Sequence, residues 1–583
     1  MTGRNVAGCA PGPWHPTDRP SLKSPSSRWP TNAIHCPAAA CSGLEWQAAE
    51  PTGLRALNRL AQIALTGALL LPLAACQIPR QSGRLVVASK NRIDSVDPAQ
   101  AYSFGAMQLL SALGDPLYAI DEQGQIVPRL ATALPRLSAD RLTAWVPLRQ
   151  GVHFHDGSRF DAAAMVFTLQ RFMAIGKLSY LVGDRLSAVR ASGPYELELR
   201  LRRPFAALPE LLSAVNLTPL SPAAYRAYGK RFLNDRFIGT GPYRLTSAND
   251  QQQRLEPFDR YWSERPANSG LDLVSLANST ALYGALRSGE VDVLLSTSLD
   301  GDQQQALHQA AAQGQLNEGV GPALEIGYLS LLTDQPPLNR LTLRRAVALS
   351  LDRHLISERV SRGLRVPLRD LVPPSLKGSS PRAWPDYDPA AARRLFSQAG
   401  YCRGRTLELP LTFRSNVPSD RLFALTWQAQ LQRDLGDCVR LEITGMEATT
   451  AYRQLGDGAF PLILLDWMGD FPDAGNYLTP LLGCDQAQGN HCLKGPSAAS
   501  GSFWTRPGLE ADLRRSEGIS GPERLALIHA IQAEAAAAVP YLPVWLVAPR
   551  AWSRPTISKP AFDGSGRVVL SRLRQQRMGG PKP

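Results

Sequence analysis

An apolar run from Leu60 to Leu73 lies between the basic residues Arg55 and Arg59 and the small pair Ala74-Ala75, with Cys76 directly after. A basic start, an apolar core and small residues before a cut are the three parts of a secretory signal. The run is too short to cross a bilayer, which takes about 20 residues, and no second long apolar run follows it. A thiol straight after the small pair has the arrangement of a bacterial lipoprotein signal, in which that cysteine receives lipid and becomes the mature N-terminus. This stretch therefore predicts an exported chain, tethered to the membrane by lipid on Cys76, whose folded part begins beyond it. Residues 54–75 are the signal peptide. Residues 1–53, dominated by Pro, Ser and small residues without helical or strand period, are expected to lie outside the folded protein. A signal whose basic region begins only at Arg55 points to translation starting near Leu54 or Leu57.

The remainder, residues 76–583, is more than one core usually organises, so two or three lobes are expected. Apolar residues at 44% and charged residues at 19% describe a globular chain. The formal charge of +13 could suit nucleic acid. However, the arginines come at most in pairs, such as Arg202-Arg203 and Arg344-Arg345, until a C-terminal series of Arg567, Arg572, Arg574, Arg577 and Lys582. The expectation is a solvated basic surface without a nucleic-acid partner. A loose basic tail, 566–583, could lie against anionic lipid.

From Arg84 the chain reads as a strand (Leu85-Val86-Val87-Ala88), an Asp97-Pro98 loop, a helix from Phe104 to Leu113 and then Asp115-Pro116-Leu117-Tyr118. After the tight-turn pair Asp156-Gly157, Asp161 is placed to cap a helix whose apolar face is Met165, Val166, Leu169 and Phe172. The segments Ile126–Leu130, Leu148–Met165, Gly239-Thr240-Gly241-Pro242-Tyr243, Tyr261-Trp262, Leu286–Asp292, Leu343–Arg353, Asp466–Asp473 and Val539–Val544 follow in order. Together these segments resemble solute-binding protein family 5, the peptide- and nickel-type receptors of ABC importers, over about residues 85–550. Departures occur at Leu329–Thr333, which lacks the family's usual Asn, at Leu338-Asn339-Arg340, and around Cys484–Cys492. They bear on ligand identity more than on fold.

The resemblance implies a two-lobed α/β periplasmic-binding-protein fold of the large, type II-like kind with an extra inserted subdomain. Lobe I is expected from 84–117, 237–320 and 541–565, the subdomain from 118–236, and lobe II from 321–540. It also implies a monomeric, extracytoplasmic binding protein that closes on a solute, most simply a peptide, and delivers it to a membrane permease with its ATPases. A receptor for nickel chelate or another non-peptide solute, and an exported hydrolase or chaperone on the same scaffold, are the alternatives. In peptide-binding relatives the Asp of the loop matched by Asp466–Asp473 meets the ligand's α-ammonium, which assigns that role to Asp470. Trp467 is a candidate for the pocket wall, and Tyr102 and Ser103 lie where relatives touch ligand.

Four cysteines follow Cys76, and an even count in an exported chain suggests disulfides, with three connectivities possible. Cys402 precedes the strand Thr406–Leu411 and Cys438 precedes Val439–Ile443, with a helix Asp420–Leu435 between. In that βαβ unit the strands are parallel, so both thiols lie at one end. The expected pairs are Cys402–Cys438 and Cys484–Cys492. A zinc site of Cys484, His491 and Cys492 is the alternative and lacks a fourth ligand. The chain has no G-x-S-x-G elbow, phosphate loop or H-E-x-x-H motif. His153 and His155 could face one side of a strand as a metal pair, but they stand in a segment resembling the family's structural hairpin. No enzyme activity, cofactor or metal is expected.

Overall fold

A computed structural model describes residues 83–90, 93–295, 299–380 and 383–576. Cys76, the signal and residues 1–53 lie outside the described residues, as do residues 577–583. The first sheet has seven strands in the order Asn317–Val320, Arg550–Ser553, Val293–Leu295, Leu85–Ser89, Leu271–Ser275, Gln252–Pro257 and Tyr243–Ala248. Leu85–Ser89 runs parallel to both neighbours, and the outer pairs are antiparallel. The second sheet has six strands, in the order Val366–Pro367, Tyr541–Val547, Glu325–Leu331, Leu462–Trp467, Leu407–Arg414 and Val439–Met446. A four-stranded antiparallel sheet between residues 136 and 201 packs against the helix Ala162–Ile175 to form the inserted subdomain.

The chain passes between the two large sheets twice, from Val320 to Glu325 and from Val547 to Arg550. The passages are bonded side by side: the Gly321 N–H donates to the Pro549 carbonyl (2.8 Å), and Arg550 pairs with Glu318 (2.6 Å). Two of the expected boundaries are corrected here. Tyr541–Val547 belongs to the second sheet, bonded to Glu325–Leu331, because its alternate and adjacent apolar side chains are all needed in that core. Residues 566–576 are not a loose tail. Val568, Leu570 and Leu573 are buried in the lobe I core, and the Gln108 side-chain amide bonds the Val568 N–H and carbonyl, both at 2.9 Å.

The motifs shared with relatives turn out to be the joints of lobe I and the subdomain. Asp161 caps its helix through the Ala164 N–H (2.8 Å), and Met165, Leu169 and Phe172 are buried as the periodicity requires. Gly241 must be glycine because a Cβ there would come within 2.4 Å of the Leu113 backbone. His155 clasps this turn: the Gly239 N–H donates to Nδ1 (3.3 Å), which leaves Nε2–H to donate to the Gly241 carbonyl (3.1 Å). Burial pushes its pKa down to about 4. A neutral ring with both nitrogens occupied is not a metal ligand.

Both expected disulfides are present, with S–S distances of 2.07 Å for Cys402–Cys438 and 2.13 Å for Cys484–Cys492. The strands after Cys402 and Cys438 are parallel neighbours, Leu407 facing Val439. The zinc alternative is excluded by the second bond, and His491 instead stacks on Phe503 with centroids 5.9 Å apart.

Asp97, fully buried, takes both Arg171 guanidinium nitrogens (2.9 and 2.6 Å) and the N–H groups of Ala99 and Leu233. Removing one partner of such a pair strands the other charge, at a cost of roughly 3–5 kcal/mol. Arg171→Met should therefore lose stability of that order in urea unfolding followed by circular dichroism, and Asp97→Asn added to it should recover part of the loss.

Candidate functional site

Between the lobes lies a cleft of about 890 Å³. Its floor is the double passage (Pro322, Ala548, Pro549), and its apolar walls include Phe104, Leu422 and Leu425. These three side chains are each 43–44% exposed, unusual for large apolar groups and suited to a surface that a ligand covers.

Asp470 stands on the loop after the strand Leu462–Trp467, in a small recess that shares Leu324, Met468 and Arg567 with the large cleft. The loop is held from both sides. The Asp470 N–H donates to Asn476 Oδ1 (3.1 Å), and the Phe471 ring plugs the subdomain core edge-on to Phe205, centroids 6.2 Å apart. The carboxylate itself has no hydrogen-bond or ion-pair partner among the described residues. Burial pushes its pKa up to about 6, opposed by the positive charge of Arg185. Arg185 is not free to neutralise it: its guanidinium lies on the Phe205 ring (4.7 Å) and reaches Glu517 at 3.4 Å.

Two phenols lie close enough to this carboxylate to feel its charge. Tyr102 comes from lobe I and Tyr180 from the subdomain, and each has its hydroxyl pushed up by burial and then by Asp470. Both rings are about half exposed. An unpaired carboxylate with two phenols nearby is suited to a cationic group, which the carboxylate would hold by charge-assisted bonds.

The other two expected site residues are not brought here. Ser103 is the N-cap of Phe104–Leu113, its Oγ accepting from the Ala106 N–H (3.2 Å) and donating to Asp94 (2.7 Å). Trp467 packs on the lobe II core and donates from Nε1 to the Asn476 carbonyl (2.9 Å), so it anchors the Asp470 loop from behind. Sequence reasoning missed Tyr180, Arg185 and Arg567, which share no local motif with Asp470. It also did not single out Arg414, which is buried and spent on Asp420 and Asp466, both at 2.7 Å. Beside it, burial and the Asp466 charge push Glu325 up to about 7.

The fold and the cleft define a two-lobed solute receptor. Residues 125–489 match the model of the bacterial extracellular solute-binding proteins, family 5. The chain belongs to that family and is a solute-binding protein of the kind that serves ABC importers. It is 27% identical over 405 residues to the glutathione-binding protein GsiB of Escherichia coli K12, covering 68% of this chain and 75% of that one. Among solved structures it is similar to a dipeptide-binding protein from Pseudoalteromonas sp. SM9913 in complex with Met-Leu (TM-score 0.71, 22% identity, 85% of this chain and 100% of that one). It is also similar to NikA from Brucella suis in complex with Fe(III)-EDTA (TM-score 0.74, 21% identity, 85% and 100%).

If Asp470 meets an amine, its ionised form is the competent one. Cognate binding should weaken as pH falls through about 6. Asp470→Asn should reduce affinity at pH 7.5 at least tenfold in calorimetry and remove that pH dependence. Because burial raises this pKa, the ionised side chain opposes folding above pH 6, and the opposition fades as protonation sets in below it. The melting temperature of Asp470→Asn at pH 7.5 should therefore be unchanged or higher; a fall would make the residue structural.

Proposed function

We propose that this protein captures a small peptide, holding the peptide's α-ammonium on Asp470 between Tyr102 and Tyr180, and hands it to an ABC permease with its ATPases. The observation that carries the reading is the unpaired, half-buried Asp470 carboxylate at the meeting point of both lobes and the subdomain. Peptide-binding names among the relatives support it. Closure supplies specificity, because contacts drawn from both lobes exist together only in the closed form. Catalysis has no support in the cleft. Among the described residues Asp470 has no hydrogen-bonded partner base, and the buried carboxylates of Asp97, Asp420 and Asp473 are committed to arginines. The protein acts as a monomer outside the cytoplasm, held to the membrane by lipid on Cys76 after removal of residues 54–75.

Native mass spectrometry of protein purified without unfolding should show an added mass that fragments as a peptide. A retained metal chelate would instead favour the reading suggested by the NikA likeness. Cys76→Ser should abolish incorporation of labelled palmitate and release the protein from the membrane fraction; continued incorporation would reject the anchor.

A further inference from the structure

Seven basic but only three acidic side chains line the large cleft. Two of the seven are committed, Arg550 to Glu318 (2.6 Å) and Arg362 to Asp302 (3.6 Å). The other five, Lys90, Arg359, Arg365, Arg421 and Arg567, have no carboxylate within 4 Å among the described residues. Two lining acids remain against these five cations: Asp300, which accepts from Ser279 (3.2 Å), and Glu325, which burial keeps partly protonated near neutrality.

Arg567 and Arg365 are half-buried, and they come from opposite lobes. Arg567 stands at the tip of a tight turn in lobe I built by Asp563, which accepts the N–H groups of Ser565 (2.9 Å) and Arg567 (3.0 Å). The turn is fixed to the helix Phe104–Leu113 through Gln108 and rests on Pro549 of the passage between lobes. Its guanidinium donates to Ser565 Oγ (2.5 Å), and burial pushes its pKa down, the mark of a cation held out of water without a full counter-charge. It borders both the large cleft and the recess of Asp470. Arg365, in lobe II, lies on the Trp545 ring (4.9 Å). A stacked guanidinium keeps its in-plane N–H groups available for bidentate contact with a carboxylate. Glu325 and Asp420 are close enough to feel Arg365, but neither reaches ion-pair distance, and Asp420 is bound to Arg414.

We infer that the solute is polyanionic, carrying carboxylate groups beyond a single peptide terminus, and that Arg567 and Arg365 are the specificity-determining residues that read them across the two lobes. Uncompensated cations contributed by both lobes oppose closure until an anion neutralises them, so the same charges that select the ligand couple its binding to closure. The exposed Arg359 and Arg421 at the rim add attraction on approach. The inference rests on the peptide reading for its amine end, and on the cleft's charge alone for its anionic end.

Calorimetry with alanine tripeptides carrying Glu or Gln at each position in turn tests both ends. For at least one position the Glu peptide should bind tenfold or more tighter than its Gln twin. Arg567→Gln should erase that preference to within twofold while the Gln peptide and the melting temperature stay unchanged; Arg365→Gln provides an independent second variant. Equal or better binding of every Gln peptide overturns the inference and leaves the peptide reading standing. If no tripeptide binds, tricarballylate, which has three carboxylates and no amine, decides. Binding that Arg567→Gln abolishes keeps the anionic cleft and rejects the amine reading. Absence of tricarballylate binding, or binding indifferent to both arginines, overturns the inference.

Discussion

The carboxylate of Asp115 holds the first lobe and the inserted subdomain in one geometry. Buried at the end of Phe104–Leu113, it accepts from Arg129 Nε (2.9 Å), the Tyr261 hydroxyl (3.0 Å), Trp262 Nε1 (2.9 Å) and Thr240 Oγ1 (3.4 Å). Those donors come from three separate stretches. A charge taken out of water is tolerated only where donors satisfy it, so the three stretches have one arrangement around Asp115 that meets the requirement. The Gly239–Gly241 turn then lies against Leu113, and the subdomain takes a fixed position beside the first sheet.

That position matters to the Asp470 loop in the other lobe. Phe471 inserts into the subdomain core, and Glu517 of lobe II takes Arg203 (2.8 Å) and Arg185 (3.4 Å) from the subdomain. Asp470, one residue before the Phe471 plug, is close enough to Tyr102 and Tyr180 for its charge to be felt by both. The subdomain thereby clamps the loop that carries Asp470. Its contact with that loop is aromatic, and Arg185 lies there on the Phe205 ring and bonds Glu517 rather than Asp470.

Much of the fold was legible because its determinants are local or strictly ordered. The helix Phe104–Leu113, the Asp161 cap and the parallel strands after Cys402 and Cys438 each follow from period, capping chemistry or βαβ connection. Asp470 could be singled out because a motif of adjacent residues carries it. A serine before a helix serves equally as a cap, and the hydroxyl of Ser103 is taken by that role. Strand alternation does not say which face meets the core, and Trp467 packs on the core of lobe II. Arg567 passed for part of a solvated tail, since nothing in its neighbours in sequence indicates that Gln108, hundreds of residues earlier, holds its turn in the lobe I core.

By itself, the sequence determined the two-lobed α/β class, the family and the cysteine pairing. All of these rest on residues close together or on motifs in a set order. Only the tertiary structure decided which charges remain unpaired. Arg414 and Arg171 are silenced by Asp420, Asp466 and Asp97, whereas Arg365 and Arg567 reach the cleft without a carboxylate partner among the described residues. Whether a charge is available depends on what lies within a few ångströms of it, and that distance is set by packing rather than by position in the chain.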